Sequence, residues 1–247
     1  MNIQDRNYKK LHNDLLFLLC RIKEICEKEN IWYSLAYGTA LGAVRHNGFI
    51  PWDLDADIYI KLEDVDRLRT AFAENAVEGV TLINCDETPR CAVSLDIVKY
   101  EHDVSKADAH VDIFPLIGAP PGKLARTVEP CIYSYLEKVL RAKYADIKRY
   151  VPKSRIAVRC AKIIGFFIPD RLIKKINHKI RTKYSIDNTE YLMTYPCEPG
   201  SGACMPKILF EETIVHKFET TEFTIPKDWD TYLTLTYGSD YMTPKIY

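Results

Sequence analysis

Residues 37–57 decide the fold, and they read Tyr37-Gly-Thr-Ala-Leu-Gly-Ala-Val-Arg-His-Asn-Gly-Phe-Ile-Pro-Trp-Asp-Leu-Asp-Ala-Asp57. The run leaves a predicted strand at Tyr37, turns at Gly38-Thr39 and continues as a short helix to His46. After a loop, acidic and polar side chains alternate with apolar ones through Ile60, which is typical of a half-buried strand. The segment therefore predicts a strand–helix–strand unit whose second strand carries closely spaced carboxylates.

The flanking sequence extends this unit into an α+β fold with a mixed sheet flanked by helices. Apolar spacing predicts two further helices and three further strands before residue 122. Prolines and a glycine at 115–122 then mark a boundary. The second part of the chain is predicted to be helical, with breaks near Pro152 and Pro169. We expect a core at 1–122, a basic helical segment at 123–183 and a C-terminal part at 184–247, which returns to short strands and a final helix. The two helices and three strands are predicted at 6–29, 63–76, 80–84, 92–100 and 110–114.

The acidic triplet in this segment predicts a metal site. Residues two apart on a strand face the same way, so Asp55 and Asp57 project side by side, with Asp53 just before them. Like charges at that spacing are unfavourable without a cation, and Mg²⁺ or Mn²⁺ bound by carboxylate and phosphate oxygens fits them. The alternative is a solvated acidic loop or helix-capping Asp residues.

Asp112 is the candidate third carboxylate. It lies in His110-Val-Asp-Ile-Phe-Pro115, an apolar strand context in which an unpartnered carboxylate is costly. A metal or a reacting hydroxyl supplies a partner, whereas backbone N–H groups around a buried Asp112 are the alternative. His110 beside it either contacts substrate or is a structural histidine at a strand end.

Gly38-Thr39 is a candidate phosphate cradle, because glycine lets a phosphate approach the backbone and the following N–H groups and hydroxyl can hold its oxygens. Arg45 can neutralise a phosphate or pair with a surface carboxylate. His46 is a further candidate substrate contact. Trp52 either stacks on a base or quaternary ammonium or packs in the core. Together with the Asp cluster, these residues indicate metal-assisted phosphoryl transfer.

Charge is unevenly distributed along the chain, although 34 basic and 34 acidic residues cancel over 247 residues. Segments 1–122, 123–183 and 184–247 carry net charges of −7, +13 and −6. A basic block interleaved with apolar residues predicts peripheral contact with an anionic membrane through 153–183, or a solvated basic face. The eight cysteines form no CxxC pair, so neither a zinc ribbon nor a thioredoxin-type redox motif is indicated. We expect reduced thiols, because the N-terminus shows no cleavable signal. No nucleic-acid partner is expected.

The quoted segment resembles the signature of the LicD family of phosphotransferases, which share the nucleotidyltransferase fold of DNA polymerase β. Val111-Asp-Ile-Phe-Pro115 matches the family's third-carboxylate strand, and 207–211, 225–226 and 237–242 resemble its C-terminal half. The resemblance implies Mg²⁺-dependent transfer of phosphocholine from CDP-choline to a hydroxyl of a cell-surface glycan, such as lipopolysaccharide or teichoic acid, or its lipid-linked precursor. It assigns Asp55 and Asp57 to the metal, Asp53 to an assisting position, and Asp112 to the metal or to general-base catalysis.

Three alternatives remain open at this level. Another CDP-alcohol, carrying ribitol or glycerol phosphate, can replace CDP-choline, and a nucleotidyltransferase can move NMP from an NTP on the same fold. A non-catalytic binding protein is disfavoured by the retained acidic positions. Pro244 is followed by Lys245-Ile-Tyr247 where the family continues past a double proline, which leaves the acceptor open. The N-terminus, without a predicted signal or anchor, leads us to expect a cytoplasmic enzyme, associated at most with the inner membrane face.

Overall fold

The computed structural model describes residues 8–83, 96–100, 109–149, 151–195 and 204–244. The chain forms two compact units. Among these residues, the first unit comprises 8–83, 96–100, 109–116 and 205–244, and the second comprises 117–149, 151–195 and 204. The predicted strand at 92–100 lies partly outside the described residues.

The elements alternate as the sequence predicts through the first part of the chain. The helices are α1 (Tyr8–Lys28), α2 (Tyr37–His46), α3 (Val65–Glu74), α4 (Lys123–Tyr144), α5 (Pro152–Phe167), α6 (Asp170–Arg181) and α7 (Trp229–Tyr237). The strands are β1 (Tyr33–Leu35), β2 (Ala56–Lys61), β3 (Val80–Ile83), β4 (Asp96–Tyr100), β5 (His110–Gly118), β6 (Tyr191–Thr194), β7 (Cys204–Pro206), β8 (Thr213–Phe218) and β9 (Thr221–Pro226).

The sheet of the first unit is mixed, which confirms the predicted α+β class. Its strands run in the order β1-β2-β5-β4-β3. β2 pairs with β5 in parallel, while the other neighbours pair antiparallel. The parallel register places Asp57 directly opposite Asp112. Two acidic residues separated by more than fifty positions in sequence therefore become neighbours on the sheet.

Helix α1 of the first unit buries one apolar face. α1 repeats apolar residues at helical spacing, and the buried ones include Leu15, Leu18 and Ile22. Burial of this stripe removes apolar surface from water, which is the main favourable term in holding a helix on a sheet.

Helix α2 begins earlier than the sequence predicts, at Tyr37 rather than at Ala40. The Ala40 N–H donates to the Ala36 carbonyl at 3.0 Å, which closes the first turn. The Tyr37 N–H donates to the Tyr232 hydroxyl at 2.8 Å and so gains a partner outside the helix. Tyr37 has φ +40°, a conformation that costs a bulky side chain energy, and this long-range hydrogen bond offsets part of that cost.

The loop after α2 is held by close backbone contacts. Asn47 ends the helix in the left-handed conformation, and the Gly48 N–H donates to the Gly42 carbonyl at 3.3 Å. The β8–β9 turn also reaches this loop, since the Glu219 N–H donates to the Asn47 carbonyl at 2.7 Å. The Glu219 carboxylate accepts the Phe49 N–H at 3.0 Å. The chain that leads into the acidic segment is therefore fixed at several backbone atoms.

The second unit is helical, as predicted, and its helices are interrupted at the predicted prolines. Pro152 opens α5, and Pro169 precedes the first residue of α6. Its core includes Val139, Leu140 and Ile173. Within the described ranges, no helix combines the length and the apolarity that crossing a bilayer demands.

Gly42→Ala should destabilise the first unit. The added Cβ would lie 2.5 Å from the Gly48 carbonyl oxygen, so backbone must move. We expect a loss of about 1–3 kcal/mol in the free energy of unfolding, measured in urea, even though alanine favours helix. Gly122→Ser is the control, because a Cβ there meets no atom within 4 Å. Equal urea midpoints for Gly42→Ala and wild type would contradict this packing.

Candidate active site

Four carboxylates gather at one end of β2 and β5. Asp57 lies on β2 opposite Asp112 on β5, and Asp55 and Asp53 precede β2 on the same chain segment. All four were predicted as site residues from sequence, and all belong to the first unit. The parallel pairing of β2 and β5 brings Asp112 next to carboxylates that lie more than fifty positions earlier in the sequence.

Asp55, His110 and Asp112 form a group that could hold a metal ion. One ligand atom from each lies within 4.8 Å of the others. The Nε2 atom of His110 is 4.0 Å from Oδ1 of Asp112. The predicted metal residues Asp55 and Asp112 thus meet directly, and His110 joins them as a third candidate ligand.

The site penalises negative charge. Burial raises the pKa of Asp57 well above its usual range, and the carboxylates of Asp55, Asp112 and Asp53 raise it further. Burial, followed by the charge of Asp55, raises the pKa of Asp53 to about 6. Burial also raises the pKa of Asp112 to about 6, with Asp55 adding to the rise and His110 opposing it. Each ionised carboxylate therefore makes the next one harder to ionise.

The donor set fits a divalent cation. Oδ1 of Asp112 is buried and has no hydrogen-bond partner among the described residues. A buried carboxylate oxygen without a partner is unfavourable unless something positive satisfies it. Carboxylate oxygens suit Mg²⁺ or Mn²⁺, and a histidine nitrogen is also acceptable to Mn²⁺. Asp55, Asp112 and His110 could hold such an ion, with Asp53 and Asp57 contributing negative charge beside it.

Gly38 and Thr39 lie in the first turn of α2, next to this carboxylate cluster. A Cβ at Gly38 would come within 2.9 Å of Oδ2 of Asp53, so glycine lets the carboxylate approach the helix backbone. The Thr39 hydroxyl accepts the Asp57 N–H at 2.8 Å and is buried. This hydrogen bond fixes the start of the helix against the start of β2.

Arg45, His46 and Trp52 form a second group at the end of α2. Nε of Arg45 donates to Nε2 of His46 at 3.0 Å, and His46 packs edge-on against Trp52 with ring centroids 6.4 Å apart. Arg45 also donates to the Tyr241 carbonyl at 2.8 Å. Over the described ranges it makes no ion pair with a carboxylate, so the surface pairing weighed from sequence is not seen there. Burial, then the neighbouring Arg45, lowers the pKa of His46.

Three supporting residues were not predicted from the sequence. Nε2 of His12 on α1 contacts the Asp53 carbonyl oxygen at 3.0 Å, and its ring stacks on Phe49 at 4.7 Å. Glu219 holds the same loop from the other side, and Tyr232 holds the start of α2. These contacts span 41, 170 and 195 positions. A single sequence carries no local spacing signal for contacts of that range.

The metal-free protein should lose stability as pH rises. The folded-state pKa values of Asp53 and Asp112, about 6, lie above the ordinary value of 3.8, so folding favours the protonated form. The resulting stabilisation is present below the ordinary pKa and is lost as pH rises through about 6. In EDTA, Asp53→Asn should reduce this loss by about 1–2 kcal/mol, measured by urea unfolding on both sides of that range.

Asp66→Asn is the matched control for that experiment, because the Asp66 side chain on α3 is 89% exposed. Its pH dependence should follow that of wild type. If Asp53→Asn keeps the full wild-type loss, the crowding described for the carboxylates is wrong.

Comparison with known proteins agrees with the LicD resemblance found in the sequence of the domain that holds this site. Residues 30–127 match the family described as LicD/FKTN/FKRP, nucleotidyltransferase domain. The chain is 28% identical over 233 residues to the lipopolysaccharide cholinephosphotransferase LicD of Haemophilus influenzae, covering 88% of this chain and 84% of that protein.

A second match covers a shorter part of the chain. The chain is 35% identical over 94 residues to the ribitol 5-phosphate transferase FKRP of Homo sapiens. That alignment covers 37% of this chain and 18% of the human protein. The mouse FKRP protein is 44% identical over the same length. With its mixed sheet and gathered carboxylates, the chain is similar to LicD phosphotransferases and matches their nucleotidyltransferase domain at residues 30–127.

Proposed function

We propose that this enzyme transfers a phospho-alcohol, phosphocholine from CDP-choline in the first instance, to a hydroxyl of a cell-surface glycan or its lipid-linked precursor. The observation that carries the proposal is the gathering of Asp53, Asp55, Asp57 and Asp112 at the ends of β2 and β5. The similarity to a lipopolysaccharide cholinephosphotransferase, which extends over 88% of the chain, supports this choice of donor and acceptor.

The reaction moves one phosphoryl group. The acceptor hydroxyl oxygen forms a bond to the phosphorus that bears choline, and the bond from that phosphorus to the bridging oxygen of CDP breaks. CMP leaves with the electron pair of the broken bond, and the hydroxyl proton passes to a base. Such transfer depends chiefly on positioning and on neutralising charge.

Asp55, Asp57 and Asp112 are the proposed catalytic residues. A bound Mg²⁺ or Mn²⁺ ion would neutralise these carboxylates and the donor phosphates. Asp55 and Asp57, with Asp53 beside them, provide negative charge for that ion. Asp112 has a buried oxygen without a hydrogen-bond partner among the described residues, and that oxygen is available either to the ion or to the acceptor proton.

The proposed substrate contacts lie along α2. Gly38 and Thr39 present the first turn of the helix, whose backbone N–H groups suit phosphate oxygens. Since the Thr39 hydroxyl accepts the Asp57 N–H, only its own proton is left to donate to a phosphate. Arg45, His46 and Trp52 form a polar and aromatic group at the other end of the helix, and we assign them to the donor's nucleotide or alcohol portion.

Two other kinds of donor, another CDP-alcohol and an NTP, are second candidates, each with a specific observation in its favour. The match to a ribitol 5-phosphate transferase favours a CDP-ribitol donor, and CDP-glycerol belongs to the same chemical class. The nucleotidyltransferase domain itself favours transfer of NMP from an NTP to a small molecule or protein. Products separate these reactions, because a CDP-alcohol releases CMP while an NTP releases pyrophosphate.

The proposal includes three further points. The domain boundaries lie at 122 and 183, the enzyme is cytoplasmic, and residues 153–183 contact an anionic membrane. Limited proteolysis tests the proposed boundaries, because cleavage should occur near residues 122 and 183.

Purified enzyme should release CMP from CDP-choline when Mg²⁺ and a glycan acceptor are present, and EDTA should abolish release. Asp55→Asn and Asp112→Asn should each lower kcat by about a thousandfold, because each removes a carboxylate proposed to hold the cation that neutralises the reacting phosphate. Asp66→Asn, at an exposed position on α3, should keep wild-type activity.

A panel of CDP-choline, CDP-ribitol, CDP-glycerol and NTPs identifies the donor. Pyrophosphate release from an NTP without CMP release from any CDP-alcohol would overturn the proposed reaction. Equal turnover by Asp55→Asn and wild type would overturn the assigned site.

A further inference from the structure

The outward face of α5 is apolar and exposed. Ile156, Cys160, Ile163 and Phe167 recur at steps of four, three and four, which places them on one side of the helix. Ile156 is 69% exposed and Phe167 is 77% exposed, and the adjacent Phe166 is 81% exposed. We call these five residues the α5 apolar face. A cluster of this size on a water-exposed helix marks an interaction surface.

Packing on the opposite side of α5 fixes this face outward. Gly165 is buried against α4, where a Cβ would lie 2.6 Å from Cγ of Lys143 and 3.3 Å from a methyl of Val139. Ala161 packs on the core cluster that contains Val139 and Ile173. Small residues therefore allow the close approach of α5 to α4. Rotating the helix to hide its phenylalanines would drive large side chains into that contact.

Positive charge surrounds the α5 apolar face. Lys153 and Arg159 fall on either side of it by helical spacing, and neither forms an ion pair within the described part of the chain. Residues 152–183 contain ten lysine or arginine residues and one acidic residue, a net charge of +9. That acidic residue, Asp170, contacts Lys143 and Tyr144. Nothing acidic within this segment is left to neutralise the rim.

An apolar face flanked by positive charge favours one kind of binding partner. A second copy of the chain would bring an equally positive rim against this one, which is electrostatically unfavourable. An anionic bilayer offers an apolar interior for the rings and negative headgroups for the rim. We propose that the α5 apolar face is a membrane-docking surface that lies in the plane of an anionic leaflet, with Phe166 and Phe167 inserted and Lys153 and Arg159 at the headgroups.

The proposal stands independently of the transferred group, because it rests on α5, α4 and the basic segment alone.

Flotation of the full chain with lipid vesicles tests the proposal without an activity measurement. Wild type should float with vesicles of equimolar phosphatidylcholine and phosphatidylglycerol, should not float with phosphatidylcholine alone, and should be released by added salt. Phe166→Ser/Phe167→Ser should weaken binding by about tenfold or more, because the inserted apolar area is lost. Lys153→Gln/Arg159→Gln should also weaken it.

Matched controls distinguish binding through the α5 apolar face from nonspecific binding through other exposed apolar or positively charged side chains. Val215→Ser removes another apolar side chain, 64% exposed on β8, and should bind vesicles like wild type. Lys9→Gln/Lys217→Gln removes two positive charges elsewhere and should do the same. Circular dichroism establishes that each variant is folded before it is compared.

Three outcomes would overturn the proposal. The first is no flotation of wild type with anionic vesicles. The second is equal flotation of wild type and Phe166→Ser/Phe167→Ser. The third is a concentration-dependent dimer, measured by light scattering, that the double serine variant abolishes while vesicles have no effect. That result would assign the face to a second copy of the chain.

Discussion

Repulsion among buried carboxylates is the constraint on which the rest of this structure depends. The parallel register of β2 and β5 places Asp57 beside Asp112, and Asp55 and Asp53 add two more negative groups. A fold that needed only stability would have no use for such a cluster, because each ionised group raises the pKa of its neighbours. The arrangement becomes favourable when a cation or a reacting hydroxyl satisfies it. Strained sites of this kind are typical of function.

The surrounding contacts hold the cluster in place despite this repulsion. Thr39 ties α2 to β2 through the Asp57 N–H, and His12 contacts the Asp53 carbonyl from α1. Glu219, at the β8–β9 turn, holds the loop that leads into Asp53. These hydrogen bonds involve backbone groups whose positions do not depend on ionisation. They preorganise the carboxylates, so that little reorganisation of the site is needed when a cation binds.

Much of this could be predicted from the sequence, because the deciding signals are local. Alternation at Asp55–Ile60 predicted β2, apolar spacing predicted α1, and prolines marked the breaks at which α5 and α6 begin. The LicD signature supplied the family. What could not be predicted is long-range: the start of α2 at Tyr37 depends on the hydroxyl of Tyr232, and the roles of His12 and Glu219 depend on tertiary packing. His110 shows where prediction from the sequence stops. Its two-residue spacing puts it on the same face of β5 as Asp112, but only the sheet register brings both close to Asp55.

The central claim is that these gathered carboxylates form a divalent-metal site, and the binding of Mn²⁺ to the full chain tests it most directly. Electron paramagnetic resonance of free Mn²⁺ gives the bound fraction without any assay of turnover. The account predicts saturable binding by wild type, with affinity lowered about tenfold or more in Asp112→Asn and unchanged in Asp66→Asn. Saturable binding of equal affinity in wild type and Asp112→Asn, or no binding by wild type, would contradict it.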